Sequence, residues 1–445
     1  MASSMRQTTC AVFDCSDPGS PRPMASFGLD DAGDGLLGYG KRYIGEPGAF
    51  ALDPVHLPMG DDLLPVRRRR DGSYGVLSDA GPNAWGVKLT SSINRKHGLP
   101  QPVTPVDWFI KSWHFGSGCL GFSQHHSVMP EPSIAAEPLS RLAERQVKAI
   151  EALSGDADAE LDDEAIRLFF PGGSLGGVRP KTVVMHEGIE HIAKFSRPDD
   201  KFDVPAAEYA TLRLAHAAGV NVTGFELVTV GSCSVLLVAR FDRTESGGRI
   251  HYLSANTLID IDAVDPVQYR AGYSYAGIAE ALRPIDDHAR DDGQELFRRM
   301  VLNILVGNVD DHMRNHALIM QAGGRYRLSP AFDIVPHLES YHMPQSIGVG
   351  ADGAAGTMKN ALSQCRRFLL LEKEARSIID EVRTQVARWR EVFTEAGVSK
   401  RDMQILGNCF ANADSADRIQ VAGADLEGAA VSASRAKRKG NEPTS

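Results

Sequence analysis

GNVDDHMRNHALI, residues 307–319, gathers two aspartates, two histidines, two asparagines and an arginine directly behind a long apolar helical pattern. Such a stretch can be a polar loop that caps a buried helix, because Asp and Asn are ordinary cap and turn residues. It can equally be a cassette that holds a general base and a metal ion. Its position in the chain has to decide between the two.

Asp310 and Asn315 stand five residues apart, and the run HALIM that follows is strand-like. Asp333 comes later, in RLSPAFDIVPH, at the end of the short strand-like run RYRLS. Phosphoryl transfer needs this set: one carboxylate to orient a hydroxyl proton, an amide and a second carboxylate to hold Mg2+. Magnesium takes hard oxygen ligands and keeps several waters, so one Asp and one Asn suffice. Asp-x-x-x-x-Asn is also the spacing of a protein-kinase catalytic loop. Alone the pair arises easily by chance; three upstream features raise its meaning.

The first is PGGSLGGVRPKT, residues 171–182, immediately before a strand-like run. Its glycines let backbone N–H groups turn towards a phosphate, and Lys181 can add charge. A Walker A loop is excluded, because Pro180 stands where that motif has Gly and the loop runs into a strand instead of a helix. A plain Gly-rich hairpin is the bland alternative. The second feature is Lys194 in HIAKF, followed by Glu208 in the helical pattern VPAAEYATLRLAHAAGV. A kinase sets a strand lysine on the α- and β-phosphates and anchors it with a helix glutamate. The third is VARFDR, residues 238–243, a link between lobes. There the backbone of Ala239 and Phe241 can meet adenine, while Asp242 and Arg243 serve the turn as an ion pair. His312 either orders the catalytic loop and the magnesium shell or is a structural loop histidine.

The remainder of the chain sets limits. With 445 residues it is long enough for two or three domains or lobes. At 42% hydrophobic and 24% charged residues the composition is that of a soluble globular protein. No apolar run approaches the ~20 residues of a membrane helix, and MASSMRQTTCAVFDCSDPGS lacks the basic and apolar regions of a secretory signal. Cytoplasmic residence and no membrane association are therefore expected. Six scattered cysteines without CxxC spacing argue against zinc and against a disulfide framework. A net charge of −9 disfavours broad duplex binding, although VRRRR (66–70) and RAKRK (435–439) are locally basic.

Composition along the chain suggests a small β-containing region first, with short β-like runs such as GSYGVLSD. An acidic, helical stretch follows at 126–163. Strand-like runs KTVVM, HIAKF, FELVTV and SVLLVARF come next, interrupted by one helix with Pro205 in its first turn and Gly219 as its stop. Beyond about 255 the pattern is helical. Leu296, Phe297, Met300, Val301, Ile304 and Leu305 form one apolar stripe; Ile378, Val382, Val386, Trp389 and Phe393 form another. The expected fold class is α/β (α+β): a bilobal protein-kinase-like fold behind a small α+β subdomain, with a mainly helical C-terminal lobe. The expected boundaries are 1–125 for the N-terminal subdomain, 126–255 for the kinase N-lobe with Gly-rich loop and hinge, 256–430 for the catalytic C-lobe and 431–445 for a disordered tail.

Taken in order, these motifs resemble the HipA-type serine/threonine kinases, the toxin half of type II toxin–antitoxin pairs. The resemblance runs from FGLDDAGDGLLGYGKRYI and LSDAGPNAWGVKL through GGSLGGVRPKT, HIAKF, EYATLRLAHAAGV and LLVARFDR. It continues in YLSANTLID, LVGNVDDHMRNHALI and LSPAFDIVP. It implies ATP and Mg2+ as cofactors, Asp310 as the catalytic aspartate, and Asn315 and Asp333 as magnesium ligands. Lys194 would bind phosphate, with Glu208 supporting it. Leu175, Gly176, Gly177, Val178, Arg179 and Lys181 would form the ATP-binding loop, Ala239 and Phe241 the adenine-contacting hinge, and His312 would border the nucleotide. Ser174 matches a serine that such kinases autophosphorylate, which expels the loop and switches the enzyme off. The implied partners are a HipB-like helix-turn-helix antitoxin, operator DNA mainly through that antitoxin, and a protein substrate such as an aminoacyl-tRNA synthetase. One departure is Asp311, which sits where many members carry Gly or Arg. Two other readings stand beside this one: a silent HipA-like co-repressor or scaffold, and a metal-dependent hydrolase using Asp310, Asp311, His312 and Asp333.

Overall fold

The computed structural model describes residues 8–82, 84–112, 116–130, 137–139, 179, 181–197, 199–231, 233–260 and 272–410. The expected tail, and most of the acidic stretch and of the Gly-rich loop, lie outside them.

Three sheets organise the chain. The first has the order β4-β3-β2-β1-β5, from β1 (Thr9–Asp14), β2 (Arg22–Leu29), β3 (Gly35–Tyr39), β4 (Leu64–Val66) and β5 (Leu120–Ser123), with every neighbouring pair antiparallel. Two helices, α1 (Ala84–Lys96) and α2 (Pro105–Ser112), lie between β4 and β5 in the chain. Phe109 of α2 stacks on Phe122 at 5.2 Å between ring centres, and Phe27 meets Tyr74 edge-on at 5.7 Å. These aromatic contacts give a small region a large buried apolar area. The β-like run GSYGVLSD is not a strand. Gly75 takes a positive φ of 56°, and Val76–Asp79 coils into one helical turn. The turn is held because the Ser78 hydroxyl accepts the Tyr74 N–H, and Asp79 receives the N–H and hydroxyl of Ser254.

The second sheet has the order β6-β7-β8-β10-β9, from β6 (Glu137–Pro138), β7 (Lys181–His186), β8 (Ile189–Phe195), β9 (Phe225–Val230) and β10 (Cys233–Ala239). All four strand-like runs expected here are strands. Alternation along β8 buries His191, Ala193 and Phe195 and leaves Ile192 and Lys194 half-buried on the other face. Helix α3 (Val204–Ala217) interrupts the strands where its signals place it. The Asp203 side chain accepts the Ala206 N–H, a proline follows in the first turn, and Gly219 at φ 78° ends it.

The third sheet, β11-β12-β13, consists of β11 (Tyr252–Ser254), β12 (Ala317–Met320) and β13 (Tyr326–Leu328). Around it stand α4 (Tyr275–Leu282), α5 (Ala289–Val306), α6 (Glu372–Val386) and α7 (Trp389–Glu395). The first apolar stripe lies on α5, with all six residues at most 1% exposed. The second is divided: Ile378, Val382 and Val386 belong to α6, whereas Trp389 and Phe393 belong to α7. Trp389 stacks on Phe410 at 4.3 Å, so the change of helix brings its ring onto another partner. Among the described residues, no helix is long and apolar enough to cross a membrane.

Candidate active site

The site begins with the strand lysine. Lys194 stands opposite Lys181 on β7 and opposite Leu236 on β10. Its ammonium donates to Glu208 Oε1 at 2.6 Å and to Asp333 Oδ1 at 2.8 Å. One cation therefore joins the sheet, helix α3 and the segment after β13, three pieces far apart in sequence. Burial opposes its charge, but the two carboxylates prevail and raise the Lys194 pKa. Glu208, 2% exposed, is pushed upward by burial, with the Lys194 charge opposing. Asp333 is held well below the usual carboxylate range by Lys194, against the cost of burial.

Asp333 also carries backbone strain. Its φ of 62° lies in the left-handed region, which an aspartate tolerates better than a branched residue but still at a cost of about 1–3 kcal/mol. Its side chain is 42% exposed, so an ionised oxygen faces outward while Oδ1 rests on Lys194.

Lys181 is 7% exposed. Burial depresses its pKa to about 8, with the Asp333 charge pulling upward and the Lys194 charge downward. Arg179, also described in the Gly-rich stretch, is engaged by Asp200, with Nη1 donating at 2.7 and 2.8 Å to its two oxygens. Leu175, Gly176, Gly177, Val178 and Ser174 lie outside the described residues.

The catalytic-loop candidate hangs from the end of α5. Gly307 closes that helix at φ 69°; a Cβ there would come within 2.7 Å of the Cys409 carbonyl and the Ser340 hydroxyl. No side chain fits. Asp310 then lies exposed, and Met313–Asn315 forms a single tight turn with the Asn315 N–H on the His312 carbonyl at 2.8 Å. The Asn315 side-chain N–H reaches the Asp310 carbonyl at a long 3.5 Å, which leaves the amide oxygen for another partner. Together with the outward oxygen of Asp333 this is a pair of hard oxygen donors, a set that fits Mg2+. His312 lies close enough to help depress Asp333, and its Nδ1 is buried without a partner among the described residues. Arg314 is exposed and pairs with Asp71 of the N-terminal region at 2.5 Å.

Asp311 points elsewhere. It is 3% exposed, and its Oδ2 accepts from Tyr275, Asn303 and His316. The hydrolase reading needs Asp311 as a ligand beside Asp310, and here its carboxylate is committed inside the lobe.

At the hinge, Ala239 and Phe241 differ. The Ala239 N–H is spent on the Gly224 carbonyl at 2.7 Å, and its own carbonyl accepts the Thr223 hydroxyl at 3.1 Å. Only the second lone pair of that carbonyl is left to meet a base. The Phe241 N–H has no partner among the described residues. Its ring lies 5.6 Å from Phe332 and 6.4 Å from Tyr252, so an apolar wall runs from the hinge to the residue beside Asp333. Asp242 takes both Arg240 and Arg243 and also accepts the Gly118 N–H at 2.8 Å. The expected ion pair at the turn is thus a buried three-residue cluster that also ties the N-terminal region to the hinge. Phe332, Tyr252, Tyr275 and Asn303 were missed at the level of sequence. Only Phe332, next to Asp333, offered a local signal.

A strand lysine paired with a helix glutamate, a hinge, and an Asp/Asn loop under the sheet define a bilobal protein-kinase-like fold. The fold is shared with HipA of Shewanella oneidensis MR-1, solved with HipB and operator DNA: TM-score 0.62, 17% identity, covering 91% of this chain and 96% of that one. Residues 173–389 match the HipA-like C-terminal domain family. Among curated relatives, the serine/threonine-protein kinase toxin HipA of Shewanella oneidensis is 24% identical over 250 residues, 49% of this chain and 53% of the relative. The putative kinase Y4dM of Sinorhizobium fredii is 27% identical over 205 residues, 43% of this chain and 48% of the relative. The chain spans about half the length of these curated relatives.

Proposed function

We propose that the chain is an ATP- and Mg2+-dependent serine/threonine protein kinase and the toxin of a toxin–antitoxin pair. The observation that carries this reading is the bridge from Lys194 to both Glu208 and Asp333, beside a loop that presents Asp310 and Asn315. A metal-dependent hydrolase has no use for such a bridge.

In this reading Asp310 accepts the proton of a serine or threonine hydroxyl. Asn315 and Asp333 hold Mg2+, which neutralises charge on the transferring phosphoryl group. Lys194 and Lys181 supply positive charge along the phosphates, and Glu208 keeps Lys194 in place. The Phe241 N–H and the Ala239 carbonyl address adenine, with Phe241 and Phe332 as apolar flanks. The stretch Leu175–Lys181 is the ATP-binding loop and Ser174 the autophosphorylation site; Arg179 belongs to that loop, with its Nη1 engaged by Asp200. Positioning and electrostatic stabilisation account for most of the rate.

The partners proposed are a HipB-like antitoxin, operator DNA through it, and a protein substrate of the aminoacyl-tRNA synthetase class, in the cytoplasm. The test is to incubate the purified protein with γ-labelled ATP and Mg2+, alone and with cell extract, beside Asp310→Gln. Labelling of Ser174 or of an extract protein by the wild type alone is expected. Equal labelling by both proteins rejects the kinase.

A further inference from the structure

Asp310 and Asn315, the two loop residues assigned to chemistry, are each followed by a residue that faces inward. These are Asp311 and His316, and they too are five apart. Asp311 Oδ2 accepts His316 Nε2–H at 2.9 Å, the Tyr275 hydroxyl at 2.5 Å and Asn303 Nδ2–H at 2.6 Å. Asn303 Nδ2 also lies 3.3 Å from the Tyr275 oxygen, and Asn308 Nδ2 donates to Asn303 Oδ1 at 3.0 Å. The Tyr275 ring meets the His316 ring edge-on at 5.4 Å. Asp311, Tyr275, Asn303 and His316 are all no more than 3% exposed.

Burial works against the Asp311 charge. The His316 charge and the donated hydrogen bonds overcome it and hold the carboxyl below its usual range. A buried carboxylate that receives three donors is fixed in direction, since turning it would leave several polar groups unsatisfied in low dielectric. The anchors are rigid. Asn303 is in the last turn of α5; Tyr275 opens α4, where Ser274 caps the helix and the Tyr275 N–H bonds the Gly348 carbonyl at 3.0 Å. The His316 carbonyl accepts the Ala255 N–H at 2.8 Å. Both ends of the 310–315 stretch are therefore pinned from behind.

We propose that Asp311 is a positioning residue: through Tyr275, Asn303 and His316 it sets the separation and direction of Asp310 and Asn315. The side chain itself touches neither substrate nor metal. This rests on the kinase reading for what the two loop residues do, but not for whether the loop is ordered by the tether. A displacement of about 1 Å in such a group costs up to ~100-fold in turnover.

The test uses the full chain and two variants, Asp311→Asn and Tyr275→Phe. The second removes the hydroxyl that donates to Asp311 and accepts from Asn303, without opening a cavity, and serves if the first fails to fold. Steady-state phosphorylation with MgATP is measured together with thermal unfolding and amide hydrogen exchange over residues 308–316. Expected are a kcat lowered about tenfold or more, KM for ATP within about twofold of wild type, and faster exchange confined to the loop. The proposal is overturned if kcat and loop exchange stay at wild-type values. It is overturned also if KM rises while kcat and melting temperature fall together, the mark of a merely structural residue. Should the wild type transfer no phosphoryl group, the kinase reading fails by itself; loop exchange in the two variants still decides whether the tether stands.

Discussion

Asp333 and Asp311 are both aspartates of the helical lobe, and both are held below the usual carboxylate range by their neighbours, yet they are used in opposite ways. Asp333 sits on a strained left-handed backbone with its side chain 42% exposed, resting one oxygen on Lys194. Asp311 is 3% exposed and directs its bonds into the lobe. The first is stabilised as an anion while its outward oxygen stays available. The second is consumed by its neighbours. A carboxylate at a functional site must be charged and partly unsatisfied at once, and a lysine on one side achieves that; a carboxylate that orders a loop is held by several buried donors, as Asp311 Oδ2 is by three.

The contrast can be broken by exchanging what each aspartate does. Asp333→Asn should reduce phosphoryl transfer by more than ~100-fold, the scale of losing a group that stabilises transition-state charge, and abolish Mg2+-dependent ATP binding. Its melting temperature should fall by a smaller margin than that of Lys194→Ala, because the amide oxygen keeps the Lys194 hydrogen bond while the ionic part is lost. Calorimetric titration with MgATP and a thermal melt check both halves. If Asp333→Asn keeps its Mg2+ dependence, Asp333 is not the ligand.

Removing the cation tests the other side. Lys194→Ala leaves Glu208 buried with its counter-charge gone, which should cost about 3 kcal/mol of stability at neutral pH. Glu208→Gln in the same chain should recover much of that loss without restoring activity. Urea unfolding of the single and double variants reads this out; an unrecovered double variant means the loss comes from packing.

A smaller effect follows from Lys181. Its pKa of about 8 is below the ordinary lysine value, so it sheds its proton as pH rises through 8. ATP affinity should be flat below that pH and weaken above it, by at most about tenfold per unit until nucleotide binding itself holds the proton. Lys181→Arg should extend the flat region upward. An affinity that does not change between pH 7 and 9.5 would remove Lys181 from the phosphate site.

Asp286, far along the chain from either aspartate, shows what happens without a full partner. It is 4% exposed, its Oδ2 is unpartnered, and burial together with Asp292 raises its pKa to about 6. The folded form keeps a proton that the unfolded chain loses near pH 4, so stability declines as pH rises from about 4 to 6 and remains lower above. Asp286→Asn should therefore stabilise the protein at pH 7 by roughly 2 kcal/mol and flatten that decline. The smallest effect expected is at Arg314–Asp71, where both partners are at least 37% exposed. A double-mutant cycle there should yield no more than about 0.5 kcal/mol, vanishing in high salt.

Much of the sheet and helix order was legible because it depends on local periodicity. KTVVM, HIAKF, FELVTV and SVLLVARF alternate or run apolar at strand length, and Pro205 and Gly219 bracket a helix whose cap, Asp203, lies just outside. The run GSYGVLSD misled because its composition suits a strand, whereas Gly75 and the tie from Asp79 to Ser254 make it a turn. Order along the chain named Lys194, Glu208 and Asp333, and the structure joins those three. The partners of Arg179 and of the Ala239 N–H, Asp200 and Gly224, were not legible, since no spacing rule names them.

By itself the sequence determined which residue types occur and in what order: a strand lysine, a helix glutamate, a hinge, and a loop of paired polar residues. Local rules of period, cap and turn are enough for that, because they act over a few residues. Spacing to Asn315 singled out Asp310, but only the tertiary structure decided that Asp310 stays exposed while Asp311 is buried. Tyr275 and Asn303, 36 and 8 residues away, reach Asp311 once α4 and α5 have packed, and burial then makes that carboxylate bond inward while its neighbour stays exposed.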